Sequence, residues 1–171
     1  MLITPENTEN LTSYEFIEKL SIELWEEDNI YLINQLQRTD VPDYFYKTAY
    51  LLEFDTEFQM SGLTTLLSNS STYNFENTLK SFVEIGSTSL ASCLQGILDT
   101  LHKFGLTPIK MRERFINGTQ ELPLYSIITV GQFFNEDDLL EELRVHDNKL
   151  NEIYTQIWTD LEEYLIKIRG K

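Results

Sequence analysis

Two histidines, His102 and His146, and one cysteine, Cys93, are the side chains best suited to metal, nucleophilic or proton-transfer chemistry, and none has a partner at a useful spacing. A zinc hydrolase helix needs His-Glu-x-x-His, a zinc knuckle needs paired cysteines, and a phosphate cradle needs a glycine-rich strand-to-helix turn. The chain holds no such pattern. A di-metal carboxylate bundle needs Glu three residues ahead of each inward histidine, but Asp99 precedes His102 and Leu143 precedes His146. The run Asp137-Asp138-Leu139-Leu140-Glu141-Glu142 follows Asn135 and reads as the first turn of a helix, where acids meet the positive end of the peptide dipoles. Cys93 lies in an apolar run and reads as a small buried hydrophobe. The sequence implies no enzyme, no metal and no cofactor.

What remains is electrostatic. The chain has 28 Asp+Glu against 13 Lys+Arg, a formal net charge of -15. The excess sits at the ends: residues 1–57 hold 13 acids and 3 bases, 58–135 hold 5 and 5, and 136–171 hold 10 and 5. Such a surface repels nucleic acid and anionic membrane and speeds encounter with basic partners. Glu15, Glu18, Glu23, Glu26 and Glu27 place five charges over 12 residue steps. On a helix that is about one charge per 3.6 Å, close to the ~3.4 Å spacing of charges on one DNA strand. Asp28 continues the row, Glu53 and Glu57 add a pair one helical turn apart, and Asp137, Asp138, Glu141 and Glu142 form a second patch. An ordinary solvated helix face explains the row equally well on charge alone.

Helices must position these groups. Thr12 and Glu15 have capping-box spacing, and Ile17, Leu20 and Leu24 recur on the face opposite the acids. The cluster Glu27-Asp28-Asn29 is a candidate interruption. Asp40-Val41-Pro42 opens a second helix carrying Phe45, Ala49, Leu52 and Phe58, which Gly62 ends or kinks. After a polar turn at Ser68–Thr72, Phe75, Leu79, Phe82 and Val83 form a stripe closing at Gly86. Ser87 or Thr88 caps the next helix, which runs from Leu90 to Leu101 and stops at Gly105. Pro108 starts a shorter helix with Met111, Phe115 and Ile116. Leu124–Val130 is the one segment where a strand competes with helix, and irregular or helical structure is expected because no second strand could pair with it. Leu139, Leu143, Leu150, Ile153, Ile157, Leu161 and Leu165 keep helical spacing, with His146-Asp147-Asn148 a candidate break. The tyrosines and tryptophans on these acidic helices read as core and rim aromatics, because base-stacking grooves are basic.

The expectation is an all-α single domain over residues 1–171 with about six to eight helices. One cysteine excludes an intrachain disulfide. The opening Met1–Glu6 lacks a basic start with an apolar run, and no stretch approaches the ~18 apolar residues of a membrane span, so a cytoplasmic protein is expected. The triplets at Asn10, Asn69 and Asn117 then read as chance matches to a glycosylation acceptor.

Leu52-Glu53-Phe54-Asp55-Thr56-Glu57, Ser61-Gly62-Leu63, Ser68-Asn69-Ser70, Phe82-Val83-Glu84-Ile85-Gly86-Ser87 and Phe104-Gly105-Leu106-Thr107-Pro108, with Arg112 and Arg114, together resemble a bacterial all-helical family whose best-known member is a DNA-mimic protein. Met60-Ser61-Gly62-Leu63 stands where that family has Asn-Gly-Gly-Phe, and Thr65-Leu66 replaces a Gln-Tyr pair. The likeness extends over roughly residues 20–168. It implies an acidic protein that occupies the DNA-binding surface of a basic partner such as a transcription regulator, without binding nucleic acid itself. Gly62, Asn69, Gly86, Gly105, Pro108, Arg112 and Arg114 are the family-motif positions. The alternative is an immunity-like or adaptor protein that binds one partner through the surface around Gly62–Asn69, with its charge incidental.

Overall fold

The computed structural model describes residues 5–25, 41–119 and 137–170, and within them the protein is all-α. Nine α-helices follow in order: α1 (Pro5–Thr8), α2 (Ser13–Leu24), α3 (Asp43–Ser61), α4 (Leu63–Ser68), α5 (Phe75–Ile85), α6 (Thr88–Lys103), α7 (Pro108–Thr119), α8 (Asp137–Ile153) and α9 (Gln156–Arg169), with a 3-10 helix at Ser70–Asn74 before α5. No helix among the described residues is long and apolar enough to cross a membrane.

The tally exceeds the expected range because the short α1 and α4 are added. At Gly62 the backbone has φ 64 and ψ -149, and α3 ends there while α4 begins. Only glycine populates that region readily. The polar run after α4 is more ordered than a turn: the Ser71 and Thr72 hydroxyls both donate to the Leu66 carbonyl, at 3.3 and 2.9 Å, and fold the chain into the 3-10 helix. Pro42 caps α3 from outside instead of opening it, so that helix starts at Asp43. Ser87 precedes α6, but its hydroxyl donates to Asp160 of α9 and not to its own helix.

His146-Asp147-Asn148 does not break α8, which continues to Ile153. Polar side chains interrupt a helix by competing for its backbone, and here those of His146 and Asp147 are engaged elsewhere while Asn148 is exposed. The His146 ring lies so close to Gly96 of α6 that a Cβ there would collide with its Cε1, and Asp147 accepts the Leu63 N–H at 2.8 Å. The break falls instead at Tyr154-Thr155. Leu124–Val130 and Glu27-Asp28-Asn29 lie outside the described residues.

α3 is the central helix, packed by α2, α4, α5, α9 and the 3-10 helix, while α5 pairs with α6 as a hairpin and α8 packs on α6. Phe16, Phe45, Phe54 and Phe82 are buried to 1% exposure or less and meet edge to face, Phe54 to Phe82 at 5.2 Å and Phe16 to Phe45 at 5.0 Å. Val83 departs from the expected stripe on α5 and points to solvent.

Candidate functional site

The acid row begins with a cap. Thr12 Oγ1 accepts the Glu15 N–H at 3.2 Å, and the Thr12 N–H donates to Glu15 Oε2 at 2.8 Å. Those bonds to Thr12, backbone first, hold the Glu15 carboxyl below its ordinary range. Glu15 and Glu18 face solvent, whereas Glu23 is half-buried because it lies beside the buried stripe of Phe16, Leu20 and Leu24. Glu26, Glu27 and Asp28 lie outside the described residues.

α2 packs against α9, so the first and last of the long helices described are neighbours. Arg169, in the last turn of α9, fastens them. Its Nη2 donates to the Thr8 and Leu11 carbonyls, both at 2.9 Å, and its Nη1 to that of Thr12 at 3.2 Å. The guanidinium also lies 4.6 Å from the centroid of the Phe16 ring, a cation–π placement. On the outer face of α9, Glu162 and Glu163 are exposed, and no ion pair among the described residues engages Glu18, Glu162 or Glu163.

Glu53 and Glu57 do not join this face. They are 9% and 5% exposed, because neighbours cover α3 all round. Asn74 Nδ2 donates to Glu53 Oε2 at 2.9 Å, and Asn69 Nδ2 donates to Glu57. Burial pushes both carboxyls up, with the amide bonds opposing it. Asp55 is also buried; Gln59 donates to one of its oxygens, and Oδ1 has no partner among the described residues. Neither Glu53 nor Glu57 can stand in for a surface phosphate.

The second patch sits on another helix pair, since α8 packs on α6. Asp138 is exposed, but Arg144 donates to Glu141 at 3.1 Å and Lys103 donates to Glu142. Asp137 begins α8, and its side chain lies outside the described residues.

The positions that carry the sequence resemblance fall at helix ends and at contacts between helices. A Cβ on Gly62 would lie 2.8 Å from Asp147 Oδ1. Asn69 links three elements: its side chain reaches Glu57, its N–H donates to the Thr65 carbonyl at 3.0 Å, and its carbonyl accepts from Arg112 Nε at 3.1 Å. Arg112 also donates to the Tyr73 hydroxyl at 2.9 Å and lies over that ring. Gly86 and Gly105 follow the ends of α5 and α6, Pro108 is the first residue of α7, and Arg114 is half-buried on it. Beside Gly62, residues Leu63, Leu67, Met111, Phe115 and Leu143 line an apolar cleft of about 40 Å³, with Arg144 and Asp147 also in its wall. That is room for a few water molecules at most.

No group of three or more His, Cys, Asp or Glu able to hold a metal occurs among the described residues. His146 Nε2 lies 3.2 Å from Thr100 Oγ1. Burial holds the imidazole below its usual value. Cys93 is buried, and burial pushes its thiol up and away from reactivity.

A pH prediction follows from the buried acids. A carboxyl raised in the folded state binds its proton more tightly folded than unfolded, so ionisation from about pH 4 upward costs stability. His146, shifted down, acts in the opposite direction on acidification. The variant E53Q/E57Q keeps both amide bonds and the same His146. It is expected to unfold later than the wild type in urea at about pH 7.5, with the gap closing as pH falls toward about 4. A gap that widens on acidification contradicts the assignment.

Sequence reasoning missed the Arg169 clasp, whose only local signal is a cation in a last helical turn, a common placement. No family model, no curated protein and no solved structure matches this chain.

Proposed function

We propose that this protein is a non-catalytic acidic binding protein that covers the DNA-binding surface of a basic partner, with carboxylates standing in for phosphates. What supports this reading is that α2 packs against α9 and that Glu15 and Glu18 on the one and Glu162 and Glu163 on the other are all exposed. Attraction between exposed charges weakens with ionic strength and governs encounter more than residence. The test is a titration against purified basic DNA-binding domains in rising salt, with duplex DNA as competitor. E18Q/E162Q/E163Q, which leaves the Glu15 cap intact, should weaken a complex about tenfold at low salt, and DNA should displace the protein. A complex indifferent to salt, or one that still accepts DNA, removes the reading.

A second reading is an adaptor that grips one partner at Gly62–Asn69, favoured by the apolar cleft beside Gly62. It requires that E18Q/E162Q/E163Q bind as well as the wild type, and that Thr64→Arg, beside the cleft, abolish binding.

A further inference from the structure

Tyr14, Ile22 and Trp25 are 64%, 61% and 51% exposed. That is an unusual investment of large apolar surface on one short helix. At about 100° per residue, Tyr14, Glu18, Ile22 and Trp25 fall within about 80° of one another around α2, opposite the face buried against the core. The stripe extends about 16 Å along the helix axis. Elsewhere Met60 on α3, Tyr73 in the 3-10 helix, Val83 on α5 and Val145 on α8 are more than half exposed, one to each element, and the pairs Ile109 and Ile116 on α7 and Ile166 and Ile168 on α9 are less exposed than any of the three on α2. α2 thus has two apolar faces, and Glu15 and Glu18 stand on and beside the outer one.

Resting on the acidic-face reading, we propose that the outer stripe of α2 receives a basic amphipathic helix of the partner, whose apolar side chains cover Tyr14, Ile22 and Trp25 while its flanking Lys or Arg side chains meet Glu15 and Glu18. The charge decides the occupant. A second copy of this chain would bring acid against acid on a molecule of net charge -15, whereas a helix with a cationic border relieves that repulsion. Apolar anchors ringed by charge also supply what charge alone lacks, a contact that excludes water and slows release.

The probe is a synthetic helix of about four turns, with Leu at helical spacing and Lys and Arg on both flanks, compared with a shuffled peptide of identical composition. Binding is followed by titration calorimetry in every variant and, in W158F, where Trp25 is the sole tryptophan, also by its emission. The ordered peptide should bind at least about tenfold tighter than the shuffled one and shift Trp25 emission to the blue. Y14A/I22A/W25A, at three exposed positions, should lose that preference while keeping the salt dependence. Equal binding of the two peptides with strong salt dependence overturns the helix and leaves the acidic face standing. No binding of either peptide at low salt overturns both. Self-association by sedimentation that Y14A/I22A/W25A abolishes assigns the stripe to a second copy and overturns the proposal.

Discussion

Gly62→Ala should destabilise the protein by about 3–5 kcal/mol, lowering Tm by about 6–20 °C for a chain of this size. Two costs combine. With φ 64 and ψ -149 the position is strained for any residue with a Cβ, by about 1–3 kcal/mol. The new methyl would also press within 2.8 Å of Asp147 Oδ1, the acceptor for the Leu63 N–H that starts α4. Losing a hydrogen bond to a charged acceptor adds about 1.5–3 kcal/mol. Urea denaturation of Gly62→Ala in wild-type and Asp147→Ala backgrounds separates the two, since only the backbone strain survives removal of the carboxylate. A loss below about 1 kcal/mol would show that the turn relaxes freely.

Asn69→Ala should cost about 2–3 kcal/mol near neutral pH. The amide is the donor that Glu57 has in its buried position, and its removal leaves an ionised carboxylate without compensation. The penalty should shrink as the solution is acidified, because a protonated Glu57 no longer demands a charge-stabilising donor. Arg112→Ala, which removes a half-exposed donor to the Asn69 carbonyl, should cost less and show little pH dependence. Equilibrium unfolding at about pH 7.5 and about pH 5 checks both expectations. An Asn69→Ala penalty unchanged between the two would mean that Glu57 is not charged in the folded protein.

The parts of this fold legible in the sequence are those whose partners are near in the chain. Thr12 and Glu15 cap α2 from three residues apart, and the spacing from Leu139 to Leu165 locates the buried faces of α8 and α9 without knowledge of what covers them. Glu53 and Glu57 look like surface groups in the sequence because their burial is decided by elements far away along the chain. A signal existed: Phe45, Tyr46 and Ala49, together with Tyr50, Leu51, Leu52, Phe54 and Phe58, put apolar groups all round α3, and a helix apolar all round belongs at the centre. Asn69 and Asn74 then become the donors such acids need. The polar triplet at His146 misleads for a related reason. Its side chains serve Gly96 and Leu63, contacts that no local rule anticipates.

The clasp at Arg169 has a consequence for synthesis. It reaches carbonyls 157 to 161 positions earlier in the chain, and joining points so far apart must await the emergence of α9 from the ribosome. Until then α2 lacks the neighbour that completes its side of the molecule. On the proposed reading, the carboxylates of α9 join those of α2 only once translation has passed Arg169.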